Sequence, residues 1–145
     1  MLELAVMVSL PGRLGKAELE ALEAAVDVER RVHAGDDFTA KKRIAGDFDH
    51  ILAGFTGNGV LMAMLQNVLT RLSLVNALYD REQGCGRGVA QHEAIVGHLK
   101  SGDFDSAHAA MAAHLDEMES SIAYEGVDGE KDVFLAILER MTAKG

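Results

Sequence analysis

Four of the chain's six histidines fall in one stretch, "QHEAIVGHLKSGDFDSAHAAMAAHLDEMES", residues 91 to 120. Imidazole is the commonest nitrogen ligand for zinc, nickel, copper and iron, and it titrates near neutral pH. Which of the four face inward follows from the helical turn of about 100° per residue. His92 lies near the middle of the stripe made by Val89, Ile95, Val96 and Leu99. His98 falls on another side, next to Gln91, and reads as solvated. In the following helical run, His114 flanks the apolar stripe on one side and His108 flanks it on the other. Those two point about 120° apart, so one site does not use both. A single inward histidine is most often a hydrogen-bonded core residue. Two of them, His92 and His114, on successive antiparallel helices point to a shared site.

A metal needs at least one further ligand, and carboxylates are the natural partners of two imidazoles. The candidates lie in "AGDFDHILAGFTGN", residues 45–58. His50 lies opposite the stripe of Phe48, Ile51, Leu52 and Phe55, which makes it a poor inward ligand. Asp47 and Asp49 sit on the two flanks; angle alone does not choose between them and slightly favours Asp47. A second kind of chemistry is offered by Asn67 and Arg71, an i, i+4 pair on a very apolar helix. An arginine there suits a buried anion such as a ligand carboxylate; a plain salt bridge to one of the many acids is the competing reading.

The elements that must position these groups are helical almost throughout. The 145 residues are 48% hydrophobic, with one proline, no tryptophan and abundant Ala, Leu and Glu. That composition makes one globular all-α domain, 1–145, with a core of Leu, Ala, Val, Ile and Met. The apolar period of about 3.6 predicts helices over 2–10, 16–34, about 38–55, 59–80, 89–100 and 104–123, and a last one carrying Val133, Phe134, Ile137, Leu138 and Met141. Breaks fall at Pro11–Gly12, "AGDD" (34–37), "TGN" (56–58), "DREQGCGRG" (80–88), "SGD" (101–103) and "EGVDGE" (125–130). The fourth helix is apolar on most sides and is expected to be central. The predicted architecture is an antiparallel bundle of six to seven helices.

Bulk properties exclude several classes. With 23 acids against 14 Lys and Arg the formal charge is −9, so no nucleic acid is expected to bind this chain alone. Cys85 is the only cysteine, which rules out an intramolecular disulfide and suits a reducing compartment. No stretch reaches the roughly 20 apolar residues of a membrane span. "MLELAVMVSLPGR" lacks the early positive charge of a signal peptide, and the cytoplasm is expected.

Order and spacing of several short motifs resemble the FCD domain, the C-terminal effector-binding domain of the FadR-type branch of GntR bacterial transcription regulators. "LE" at 2–3 with Leu19 and Leu22 resembles the first two helices of that family, and "AGD" at 34–36 its second turn. Phe48, Leu52 and Gly57–Asn58 resemble its "FH-x-x-L…GN" segment, and "QHEAIVGHLKSGDFDSAHAAMAAHL" its most specific segment. The resemblance implies a divalent metal held by an Asp and a His one turn apart and by two later histidines. His92 and His114 fall on the two later positions. Counted back from Gly57–Asn58, the first His position is Asp49 and the Asp position is Ala45, with His50 one residue out of register. The implied set is therefore Asp49, His92 and His114, able to hold Zn²⁺, Ni²⁺ or Fe²⁺ less tightly than four ligands would.

These regulators carry a winged helix-turn-helix before the sensor. Here Met1 falls inside the first helix of the family pattern, so the expectation is a truncated first helix and no DNA-binding domain in this chain. The expected function is sensing: a small organic acid bound in the bundle interior, possible metal assistance included, with Arg71 and Asn67 as anion partners, in a homodimer. Two alternatives stand beside it: a metal-free bundle used only for oligomerisation, and a non-haem metal enzyme built on a 2-His-1-carboxylate set. The sequence supplies no co-substrate site for the latter, so no enzyme activity is expected. It names neither the effector nor the target genes.

Overall fold

The computed structural model describes residues 2–37, 40, 41, 44, 46–79 and 85–121, with side chains described up to Arg71 and again from Gly88 to Ser120. Among these residues all regular structure is α-helical. The helices are α1 (Leu2–Ser9), α2 (Lys16–Ala34), α3 (Asp47–Gly54), α4 (Gly59–Tyr79), α5 (Cys85–Lys100) and α6 (Phe104–Ser121). The expected last helix, beyond residue 121, lies outside the described residues.

Local chemistry explains the boundaries. At the start of α2 the Glu18 carboxylate accepts the Gly15 N–H at 2.9 Å, satisfying a donor the helix cannot use itself. At the start of α4, Asn58 Oδ1 accepts the N–H groups of Val60 and Leu61, both at 3.1 Å. Asp103 Oδ1 does the same for the Ser106 N–H at the start of α6, at 3.0 Å. The Ser106 hydroxyl first, and then this N–H, hold the Asp103 carboxyl below the usual range. Gly57 and Gly102, at φ 64° and 74°, make the left-handed turns that end α3 and α5.

Two expectations about elements are corrected. "GCGRG" was expected to belong to a loop, yet α5 starts at Cys85 and takes in Gly86 and Gly88. The first turn of a helix carries no stripe residue of its own, so apolar periodicity begins only at Val89 and misses it. The helix α4 is not surrounded: it packs on α3 and α1 and leaves Val60, Met64 and Val68 exposed. Of its described residues only Leu65 is fully buried, with Leu61 and Leu69 half-buried against the core.

The middle is occupied by α1, although it has eight residues. It contacts α6, α4 and α3, while α2 packs on α5 and α3, and α5 on α6. Pairings between α2 and α5 show that they run antiparallel, since Glu23 meets Lys100 while Glu29 meets His92. The core is built from Val6, Met7 and Leu10 of α1 and its end, Leu22 and Val26 of α2, Phe48 and Leu52 of α3, and Ile95, Leu99, Met111 and Leu115 from α5 and α6. Leu22 is fully buried and Val28 on the same helix is exposed. We expect Leu22→Ala to cost about 2–5 kcal/mol in urea unfolding and Val28→Ala to stay within about 0.5 kcal/mol. Equal costs for the two would contradict this placement of α2.

Candidate functional site

Into this apolar core five helices each send polar groups: Glu3 from α1, Glu29 from α2, Asp49 from α3, His92 from α5 and His114 from α6, all buried. Burying so many titratable groups is expensive unless they are paired. The pairing starts at Glu29, whose Oε2 stands 2.7 Å from His92 Nδ1. Both side chains are nearly sealed from solvent. Phe48 stacks on the His92 ring, with centroids 4.2 Å apart and planes at 16°. The His114 ring is tilted against the same imidazole at 4.8 Å. His114 is tied in turn, its Nδ1 lying 2.7 Å from Gln91 Oε1. Gln91 Nε2 then donates to Glu117 Oε2 at 2.6 Å.

Two donor atoms in this cluster are not spent. Asp49 Oδ1 and His92 Nε2 are buried and have no hydrogen-bond partner, as is also true of His50 Nδ1. Asp49 shares a crevice with Glu3, Val6, Leu52, Leu65 and Met111 that is too narrow to admit a water molecule. Orphaned atoms of a carboxylate and an imidazole are the right kind of donor for a zinc-type ion. In that sense Asp49, His92 and His114 fit a metal in donor chemistry and burial. Among the described residues, however, no group of three His, Cys, Asp or Glu side chains is placed to hold one as they stand.

The structure separates the candidates that angle alone did not. Asp49 is buried while Asp47 is exposed, the opposite of the slight angular preference, because Phe48 and Leu52 together turn α3 so that Asp49 faces Glu3 and Val6 of α1. His98 and His108 remain half-exposed, outside the cluster. Asn67 and Arg71 are not brought to it. Both are exposed and line an outer groove of about 420 Å³ with Ala63, Gln66 and Thr70. Leu65 takes the inward position on α4, and a residue two places on points to the opposite side. The interior anion pair expected from an arginine on an apolar helix is therefore corrected: that helix is apolar on its solvent side too.

Periodicity overlooked three members of the cluster. Glu29 lies seven residues after Leu22 and three after Val26, squarely on the buried stripe of α2. Glu3 shares the stripe of Met7 and Leu10. A carboxylate at a core register position is the signal that could have found both. Gln91, classed with the solvated side of its helix, gave no such signal, since only His114 on the neighbouring helix makes it useful.

Burial pushes the Asp49 carboxyl up to about 6; His92 opposes this, and Glu3 and Glu29 add to it. Burial pushes His114 down to about 4, helped by His92 and opposed by Glu29 and Glu117. In a metal-free protein these groups tilt stability in opposite senses. Between pH 3.8 and about 6 the folded state holds the Asp49 proton more tightly than the unfolded chain, so stability falls as pH rises. Between about 4 and 6.5 the folded state holds the His114 proton less tightly, so stability rises with pH. In the wild type these two contributions therefore largely offset each other between about pH 4 and 6. Asp49→Asn should leave a rising profile and His114→Gln a falling one, the latter by on the order of 3 kcal/mol. Urea unfolding in chelator across that range checks this; an Asp49→Asn profile with the same slope as the wild type rejects the assignment.

Similarity to known proteins agrees with the all-helical bundle. The model of the FCD domain family matches residues 1–117, a span that holds every residue of the cluster. Neither the curated proteins nor the solved structures contain a significant match. FCD domains are regulatory, effector-binding domains of GntR-type regulators rather than an enzyme family. With its all-helical bundle and most of its length covered by that match, the chain belongs to the FCD domain family.

Proposed function

We propose that this chain is the effector-sensing domain of a GntR/FadR-type transcription regulator. In this reading a small organic acid binds in the bundle interior, at a divalent metal held by Asp49, His92 and His114. The observation that carries the reading is the pair of buried, unspent donors, Asp49 Oδ1 and His92 Nε2, on neighbouring helices of an FCD bundle. When bound, Zn²⁺, Ni²⁺ or Fe²⁺ supplies a positive centre with open positions for a carboxylate. The chain's own residues supply the rest. Phe48 fixes the ring plane of His92, and the apolar walls of Leu52, Leu65 and Met111 limit water at Asp49. Arg71 and Asn67 remain an anion-binding pair in this proposal, at the outer groove rather than at the metal.

A homodimer is part of the proposal, as are a cytoplasmic location and DNA contact through a winged helix-turn-helix and not through this acidic domain. Among the described residues no helix is long and apolar enough to cross a membrane. A metal-free bundle is the second reading. It is favoured by the fact that no described group of three side chains is placed to hold a metal, and that His92 is already paired with Glu29.

Elemental analysis of the purified protein separates the two. Wild type should carry a stoichiometric divalent metal, lost in both His92→Ala and His114→Ala. A wild-type protein that stays metal-free after soaking with Zn²⁺ or Ni²⁺ removes the metal and leaves the second reading.

A further inference from the structure

The two imidazoles of the cluster are each gripped at the same ring atom. Glu29 takes Nδ1 of His92 at 2.7 Å, and Gln91 takes Nδ1 of His114 at 2.7 Å. The chemistry of the partners decides where the protons sit. A carboxylate oxygen accepts, so the Glu29 contact places the His92 proton on Nδ1. The Gln91 amide has two ends, but its Nε2 faces the Glu117 carboxylate at 2.6 Å and must donate there. Its Oε1 is left to accept from His114, so that proton also sits on Nδ1.

We propose that Glu29 and Gln91 are positioning residues of the site: each holds one imidazole by Nδ1 and thereby makes Nε2 the nitrogen that ligates. This rests on the metal reading given above. A carboxylate or amide behind a ligating histidine fixes its tautomer and ring orientation and strengthens it as a donor. A histidine buried for packing alone spends both nitrogens on protein partners. His92 does not: Nε2 is buried and unpartnered, as is Asp49 Oδ1 on the adjoining helix. The grip on His92 is itself held in place, since Arg30, the next residue on α2, bonds Glu93, the next residue on α5, through Nε at 2.8 Å. Glu29 thus supplies a carboxylate to the site from α2, a helix that the family-like ligand positions do not use.

The test uses the full chain and two measurements. Zinc affinity is read by competition with a chromogenic chelator for wild type, Glu29→Ala, Glu29→Gln and Gln91→Ala. The tautomers are read in the metal-free proteins from ¹⁵N spectra of labelled histidine. We expect Glu29→Ala and Gln91→Ala to weaken zinc roughly 10- to 100-fold. Glu29→Gln should lose less, because its amide oxygen still accepts the same N–H. Wild-type His92 and His114 should both be Nδ1–H tautomers. Glu29→Ala should disturb only the His92 signal and Gln91→Ala only that of His114. Folded alanine variants that bind zinc like wild type overturn the positioning roles while the metal reading stands. A wild type that binds no zinc overturns both. Should Glu29→Ala fail to fold, the wild-type ¹⁵N spectrum carries the test, and a wild-type His92 protonated on Nε2 overturns the role of Glu29.

Discussion

The contact on which most of the architecture depends is the 2.7 Å bond between Glu29 and His92, closed off from solvent on both sides. It joins α2 to α5 across the core, where neither group can turn to water instead. Losing either partner leaves the other buried and unpaired, at about 1–3 kcal/mol for a neutral group and more for a charge. Sliding one helix past the other by a turn would do the same. The ion pairs alongside, Arg30 with Glu93 and Lys100 with Glu23, repeat the same antiparallel register at the surface. Exposed pairs of that kind are worth about 0–1 kcal/mol each. They follow the register that the buried bond imposes.

A core with three carboxylates and two imidazoles is not the core that maximises stability. The apolar residues that surround it, from Leu10 and Leu22 to Ile95 and Met111, would pack a simpler bundle well. The polar cluster costs part of that gain, since burial disfavours the charged forms of both Asp49 and His114. Proteins keep local violations of this sort where a site needs them. Here the violation is concentrated where α1, α2, α3, α5 and α6 converge, while the flanks of the same helices follow ordinary patterning. Helix α1 takes part through Glu3, which lines the same crevice as Asp49.

Much of this was legible in the sequence, for reasons that also explain the rest. Helix α2 could be read to the residue, because its stripe and its glycine boundaries agree. His92 and His114 could be read as inward because they lie on or beside stripes made of other residue types. Glu29 and Glu3 lie on stripes just as plainly, but acids are usually read as solvent-facing, and only residues on distant helices, His92 for Glu29 and Asp49 for Glu3, bring them into the cluster. Asp47 and Asp49 were undecidable by angle, since both flank the stripe and the tilt of α3 against its neighbours is a tertiary property. Arg71 misled for a related reason. Apolar content on all sides of α4 was read as burial, whereas Val60, Met64 and Val68 lie on an open face. Periodicity reports which residues share a face; it does not report whether that face is covered.

The distribution of the cluster has a mechanical consequence. Each polar group belongs to a different helix, so any species that bonds two of them bonds two helices. An ion or acid engaging Asp49 Oδ1 together with His92 Nε2 would tie α3 to α5, a pair otherwise linked through the stacking of Phe48 on His92. Because α5 is fixed to α2 by Glu29 and to α6 by Gln91, a shift of His92 cannot be absorbed locally. Close-packed helices respond to such a demand by small rigid displacements rather than by gradual deformation. A ligand able to bias the bundle must bind one arrangement better than another. The unspent atoms at the centre, attached to helices already coupled at their outer sides, are the part of this fold through which that difference in affinity can be expressed.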